Sequence, residues 1–383
     1  FRSVGLPVRI LPPPDEKSIA LGEEWTSGKE CHAFAIIAGD LIKAAQSPRE
    51  GNEIFFFPGA RYTCLLQQYQ DGLNYLLHDM GISDLKVVAP STDFLWQLLG
   101  FQGIKRLWDG LLAVDWLIKT ACSRRPYEKQ KGAIDQVHQT NLRDIEPSLA
   151  IEDLSSALKR CAARLREIPI SPEPRPKIGL AGDIYTRQNP VANHNLFLKL
   201  EAMGCEVWPS PFIIDNVDFG IQKEFFINLR RRNFLKAMTA GLLHLRKELE
   251  RFKIEKSLKD VLPSHKEPSF RQIETLISPY LTLDNNQTLI LNIAKMVDFA
   301  SRGADGVINA ICFNCMLGTV SGAIAQKIRQ DFQNIPIPTL IFKGKEDPTE
   351  ESRLEAFVYQ VKQSWEKKQL KQRELTRRPW VEW

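Results

Sequence analysis

The sequence is informative first through what is missing. No apolar run approaches the ~20 residues of a membrane span, so a helical membrane protein is not expected. There is no secretory signal pattern, although a chain that opens at Phe1 leaves room for upstream residues, a removed segment included. A G-x-G-x-x-G fingerprint is absent, so a dinucleotide is not inferred. No second Cys-x-x-Cys and no His-x₃-His completes a zinc pattern, and the compact ferredoxin spacing is absent too. No Ser/His/Asp triad, paired carboxylates or fixed-period repeat can be recognised. Charge of one sign is also lacking: 51 basic against 46 acidic residues leaves +5, spread along the chain. Arg230-Arg231-Arg232 lies in a helical pattern and reads as a solvated face, so no nucleic-acid partner is expected. Cysteine is sparse: seven residues, an odd number at scattered spacings, in a chain of 383. That argues against a secreted disulfide framework and for a reducing cytoplasm with thiols free to bind metal.

What is present is an alternation of strand and helix patterns. The length fits two domains, or three, at roughly 100–200 residues each. Strands are expected at Gly5–Leu11, Glu53–Phe57, Asp84–Ala89, Lys177–Ala181, Gly204–Trp208, Asp305–Ile311 and Pro338–Phe342. Helices are expected from Cys31 to about Ala45, from Cys64 to about Met80, over 93–121, 148–167, 268–280 and 287–301, over Thr319–Ile328 with Thr319 or Ser321 as N-cap, and over 350–370 before a charged, frayed tail. A basic helical excursion covers 219–260. Four prolines within 168–176 mark the domain boundary. The pattern is that of an α/β protein with parallel sheets.

The stretch Cys312-Phe-Asn-Cys315 lies between a buried strand and a helix, where open α/β sheets place their ligands. Two thiols at that spacing can serve as a redox dithiol, half of a zinc site, cluster ligands or buried core groups. Cys31 and Cys64 also fall at loop-to-helix junctions, where a helix N-terminus favours thiolate over thiol. Cys122 is a fifth loop-positioned thiol, whereas Cys161 and Cys205 read as packing residues. The loop from Gly182 to Asn195 crowds Asp183, Tyr185, Arg187, Asn189, Asn193 and His194 together, with Asn193 a candidate N-cap. It could hold substrate or surround a metal centre, or simply satisfy its own backbone. Arg61 could face an anionic cluster or substrate, or pair at the surface. His32 could donate to a cluster sulfur or face solvent.

Glu30-Cys31-His32, Phe57-Pro58-Gly59 with Cys64 and Gln68-Tyr69, Arg125-Pro126-Tyr127-Glu128, Gly182-Asp183-Ile184-Tyr185-Thr186-Arg187 with Asn189-Pro190 and Asn193, Phe313-Asn314-Cys315-Met316, and Arg353-x-Glu355-Ala356-Phe357 occur in this order. Together they resemble the iron–sulfur component of the 2-hydroxyacyl-CoA dehydratase and benzoyl-CoA reductase family. The branch is the one related to the C-terminal part of activase-fused proteins and to double-cubane cluster proteins. The resemblance implies an oxygen-sensitive cluster between α/β domains, [4Fe-4S] or double-cubane [8Fe-9S]. It implies a partner too: an ATP-dependent activase with its own [4Fe-4S] cluster, which delivers low-potential electrons in an anaerobic cytoplasm. Cys31, Cys64 and Cys315 match the family's cluster cysteines, Cys312 is additional, and Cys122 is the candidate fifth ligand of a larger cluster. Arg61, Tyr185, Arg187, Asn189, Asn193 and His194 become the candidate substrate contacts, while catalytic residues are left unassigned.

The first domain starts late for this family, without a leading strand–helix unit, which leaves acyl-CoA binding open. The alternatives are a subunit of an acyl-CoA dehydratase or reductase that needs a second subunit, and a non-catalytic scaffold or maturation protein. The expected architecture is two Rossmann-like (flavodoxin-like) parallel-sheet domains, 1–170 and 177–345, with the excursion at 219–260 and a C-terminal helix and tail over 346–383. The expected assembly is a homo- or heterodimer acting on a small molecule.

Overall fold

The segment expected as the first strand, Gly5–Leu11, pairs with no other strand in the computed structural model, which describes residues 1–49, 51–57, 64–151, 154–262 and 267–377. A strand needs a neighbour for its backbone groups, and here Leu6, Val8 and Ile10 remain exposed. The first helix, α1 (Glu16–Trp25), is set by a capping box: Asp15 accepts from the Ser18 backbone N–H, and the Ser18 hydroxyl accepts from the Asp15 N–H. It lies close against α2 (His32–Gln46). Gly22 and Gly39 allow this, since a Cβ on either would come within 1.8 Å or 1.7 Å of the facing carbonyl oxygens of Ala35 and Ser18.

Next come β1 (Glu53–Phe56), a 3₁₀ turn over Leu65–Gln68, α3 (Tyr69–Asp79) and β2 (Leu85–Val88). The two strands pair in parallel, with Glu53 opposite Leu85. Ala38, Leu41 and Ile42 from α2 and Leu73 and Leu77 from α3 bury their inner face.

A helical layer follows: α4 (Thr92–Arg124), kinked at Gly100 where φ is +61°, then α5 (Ala133–Ile151) and α6 (Leu154–Glu167). The sequence pattern gave a single helix over 148–167. Residues 133–147 are helical too: Ile134, Val137, Leu142 and Ile145 recur at helical spacing, and Pro147 interrupts the pattern between them and the expected segment. These helices pack around Leu112, Trp116, Ile134, Ile145, Leu158 and Leu165.

The second sheet is built from β3 (Lys177–Gly182), α7 (Leu196–Ala202), β4 (Glu206–Pro209), α8 (Phe219–Arg230), α9 (Phe234–Leu258), α10 (Phe270–Ile277), α11 (Gln287–Ser301), β5 (Gly306–Cys312), α12 (Met316–Asp331), β6 (Thr339–Phe342) and α13 (Pro348–Arg377). Its strand order is β4-β3-β5-β6, all parallel. Alternate side chains serve opposite layers. Val307 packs with α10, α11 and α12, whereas Ile308 packs with α7 and α13. Helix α11 is buried on nearly all sides, in keeping with its apolar composition. The chain leaves β3 toward β4 and returns at β5 on the other side of β3. The carboxyl ends of β3 and β5 therefore flank a topological switch point.

Packing runs across the proline-rich segment 168–176. Ile254 and Leu258 of α9 join the core formed by α4, α5 and α6. Asp115 of α4 accepts from the backbone of Phe212 and Ile213. Glu267 is buried between Lys119 of α4 and Lys295 of α11 and pairs with both. Among the described residues, no helix is long and apolar enough to cross a membrane.

Candidate functional site

The strand β5 ends at Cys312, and α12 begins at Met316 with Cys315 at its N-cap. The helix therefore starts before Thr319 and Ser321, the caps expected from sequence. Asn314 turns the chain with φ of +57°, a conformation its short polar side chain tolerates. This loop carries both thiols at the open end of β5, beside the end of β3. Gly182 is required there, because a Cβ would come within 1.9 Å of the Ala310 carbonyl oxygen.

Cys31 arrives from the other side, at the N-cap of α2. Its sulfur lies 3.0 Å from that of Cys312, across 281 residues of sequence. Two backbone ties hold the approach. The His32 N–H donates to the Phe313 carbonyl at 3.0 Å, and the Gly344 N–H donates to His32 Nε2 at 2.9 Å. His32 is thus neither a sulfur donor nor solvent-facing. It is buried and accepting, and burial together with the His194 charge pushes its pKa down to about 4. Cys64 caps the 3₁₀ turn leading into α3, accepting from the Leu66 N–H at 3.4 Å. Cys64 and Cys315 pack against the same core cluster.

Tyr69 links these groups. Its ring is seated between Phe34 and Phe57, and its hydroxyl bonds to Cys31. Burial first, and then the Cys31 charge, push its pKa up, with smaller contributions from Cys312 and Cys64. The Cys31 thiol is pulled down to about 7, chiefly by the hydrogen bond from Cys312; burial opposes this and Tyr69 supports it. Cys312 moves the other way, pushed up by its bonds to Cys31 and Cys315 and then by burial. The pair therefore gives up its first proton easily from Cys31 and holds the second on Cys312. No three of these sulfurs lie within 4.8 Å of one another among the described residues, so they do not close around a single ion.

Asp183 braces the site from beneath. One carboxylate oxygen accepts from the Tyr185 and Thr186 N–H groups at 2.9 and 2.7 Å, and the other accepts from the Cys312 N–H at 2.7 Å. The sequence assigns no role to Tyr69, and it places Asp183 only among the polar groups of the 182–195 loop, not as a brace for the Cys312 backbone. A buried acid just after a strand, followed by backbone donors two and three residues on, was the available signal.

The remaining candidates behave differently. Arg187 is buried and donates to the Pro211 carbonyl at 2.9 Å. Asn189 accepts from the Val191 and Ala192 N–H groups, and Asn193 joins the Thr186 carbonyl to the Leu196 N–H; the N-cap of α7 is Asn195, two residues beyond the Asn193 expected from sequence. His194 contacts the Glu350 carboxylate at 2.9 Å and the Gly344 carbonyl at 3.0 Å. Both partners are acceptors, so both ring nitrogens donate; the Glu350 bond first, and the Gly344 carbonyl with it, raise its pKa. These four side chains bind the protein to itself. Tyr185 packs with Ile19, Ile36 and Ala192, and its hydroxyl is raised by burial first and then by the charges of Asp40, Asp183 and Cys312. Arg61 lies outside the described residues. Cys122 is buried on α4 beside Arg125 and Glu201, with its thiol pushed up to about 12 by burial; the structure does not bring it to the other four. Cys161 and Cys205 are core residues, as expected.

No family model, curated protein or solved structure matches the chain.

Proposed function

We propose that Cys31, Cys64, Cys312 and Cys315 hold an iron–sulfur cluster, and that the protein is a low-potential reductase component of the 2-hydroxyacyl-CoA dehydratase type. The single observation behind this reading is the meeting of Cys31 and Cys312 across 281 residues, beside Cys315 and Tyr69. The donor set suits the group. One of its thiols ionises near neutrality, and two cap helices of 15 and 16 residues whose N-termini favour anions. Four thiols match a [4Fe-4S] cubane, and the buried place of Cys122 weighs against the double-cubane [8Fe-9S] alternative. When bound, such a cluster supplies one-electron chemistry at low potential.

In this reading the protein's own groups set the surroundings. Tyr69 and the first turns of α2 and α12 stabilise negative charge on the sulfurs. Asp183 fixes the Cys312 backbone. Electrons would come from an ATP-dependent activase in an anaerobic cytoplasm. The β4-β3-β5-β6 sheet is read as flavodoxin-like. Arg61 keeps its candidate role toward an anionic substrate, and the structural duties of Arg187, Asn189, Asn193 and His194 argue against one for them.

The 3.0 Å thiol pair also suits a second reading, a redox dithiol without iron. Anaerobic reconstitution followed by EPR separates the two. A cluster signal on reduction by an ATP-hydrolysing activase is expected. Protein that stays EPR-silent, and merely cycles between dithiol and disulfide, would overturn the proposal in favour of the second reading.

A further inference from the structure

The helical excursion holds a second group of ligating side chains, away from the thiols. Asp218 stands immediately before α8, and His244 and Glu248 lie one turn apart on one face of α9. Asp218 is 3 % exposed. Its Oδ2 accepts from Gln222 Nε2 at 2.8 Å, while Oδ1 has no hydrogen-bond partner among the described residues. Oδ1 faces His244 Nδ1 at 3.7 Å, and that buried nitrogen has no hydrogen bond either. A separation of 3.7 Å is too long for a hydrogen bond. It is close to the ~3.3 Å that separates two ligands on a tetrahedral ion with bonds of ~2.0–2.1 Å. Glu248 completes the group: one ligand atom from each of Asp218, His244 and Glu248 lies within 4.8 Å of the other two.

The surroundings fit a cation. Arg251 lies 3.1 Å from Glu248 Oε1 and 3.2 Å from Glu255 Oε1, and it reaches Asp218 only on the Oδ2 side, at 4.0 Å. With Gln222 it orients the carboxylates from outside and leaves the inward oxygen free. Three carboxylates surround this one guanidinium. The nearby Lys247 turns its ammonium over the Trp108 ring at 3.6 Å, and burial pushes its pKa down to about 8. Negative charge is thus in excess around the two inward-facing atoms.

We infer that Asp218, His244 and Glu248 bind a divalent cation of the zinc class, joining α8 to α9 with one coordination position left for water. One imidazole and two carboxylates form the mixed nitrogen–oxygen set such ions accept. The inference does not depend on the cluster reading. Because thiolates also take zinc, cobalt(II) is the probe, titrated anaerobically into the full chain. Nitrogen–oxygen ligation gives only weak visible bands, whereas thiolate ligation adds an intense near-ultraviolet band. One equivalent without the thiolate band is expected, persisting in Cys31→Ser/Cys312→Ser and weakened about 10–100-fold or more in His244→Ala and in Glu248→Gln. Zinc should raise the melting temperature of the wild type and not of these variants, each compared with its own metal-free melt. Equal cobalt binding and equal zinc shifts in wild type and both variants would overturn the site.

The outer face of α9 carries an independent feature. Leu235, Met238, Leu242, Leu245, Leu249 and Phe252 recur in alternating steps of three and four and are 55–70 % exposed. The opposite face, with Ala237, Ala240, Ile254 and Leu258, is already buried. Alternating three-four spacing is the seam of paired helices. In an antiparallel pairing this seam complements itself, with Leu242 against Leu245, Met238 against Leu249 and Leu235 against Phe252 of the second helix. Six such side chains, each worth roughly 60–120 Å² when fully buried, make a patch of a few hundred Å² per copy, below a standard interface. We propose that the occupant is a second copy of this chain, held in a weak two-fold dimer through α9. Sedimentation velocity should show concentration-dependent dimers at tens of micromolar and monomers for Leu245→Lys. A wild type that stays monomeric there, or a variant that dimerises as well as wild type, would overturn the assignment.

Discussion

Replacing Cys312 by Ala removes the largest influence on Cys31. The Cys31 thiol falls from an ordinary 9.0 to about 7, with the hydrogen bond from Cys312 the leading cause. A drop of that size is about two decades in acidity, or about 2.7 kcal/mol at 1.36 kcal/mol per decade. Without Cys312, burial still disfavours the thiolate and only Tyr69 and the Ala33 backbone support it. The Cys31 midpoint should therefore rise by at least about one unit, and its thiolate fraction at pH 7 should fall from about one half to about one tenth or less. The assay is the pH dependence of iodoacetamide labelling at Cys31 in iron-free protein, read by mass spectrometry. The same pair predicts a stability profile. Between about pH 7 and 9 the folded chain has released a proton that the unfolded chain keeps, so stability rises with pH. Above about 9 the sign reverses, because folded Cys312 retains a proton that the unfolded chain has lost. A wild-type midpoint near 9, or one that Cys312→Ala leaves unmoved, would refute the coupling.

Other perturbations test the frame around the thiols. Glu267→Gln leaves Lys119 and Lys295 buried without their carboxylate and should cost about 3–5 kcal/mol in urea unfolding; a loss under about 1 kcal/mol would contradict the packing of α4 against α11. Gly39→Ala gains about 1 kcal/mol of helix propensity in isolation, yet the Ser18 carbonyl at 1.7 Å should make it destabilising overall by about 1–3 kcal/mol. A stabilised variant would show that α1 does not sit where described. Asp183→Asn places an amide against at least one backbone donor it cannot satisfy, costing about 2–3 kcal/mol and reducing iron retention after reconstitution. Unchanged denaturation and iron content would remove Asp183 from the site.

Much of this arrangement was legible in the residues. The apolar, β-branched run before Cys312 marked a buried strand, and Pro and Gly breaks placed most helix boundaries within a few residues. The positions of Cys31 and Cys64 at element starts followed from local pattern, whereas Cys315, expected on the loop before a helix capped at Thr319 or Ser321, is itself the N-cap of α12. The strand expected at 5–11 failed because its alternation has no neighbour to pair with, which is a tertiary fact. Cys122 looked loop-positioned because the basic stretch after it resembles a break, yet α4 continues through Arg124 and buries the thiol. The polar crowd at 182–195 looked like a binding loop, whereas Arg187, Asn189 and Asn193 spend their side chains on backbone partners. The Asp218, His244 and Glu248 group was invisible in sequence, since nothing local brings the start of α8 to the middle of α9.

The central proposal is that Cys31, Cys64 and the Cys312/Cys315 pair, from three separate parts of the sequence, grip iron at the end of β5. Counting iron and acid-labile sulfide per chain after anaerobic reconstitution tests it most directly. About four of each are predicted for a cubane, unchanged in Cys122→Ser and sharply reduced in Cys31→Ser, Cys64→Ser, Cys312→Ser or Cys315→Ser. A colourless wild-type protein free of iron and sulfide, or full iron content in the last four variants, would contradict the account.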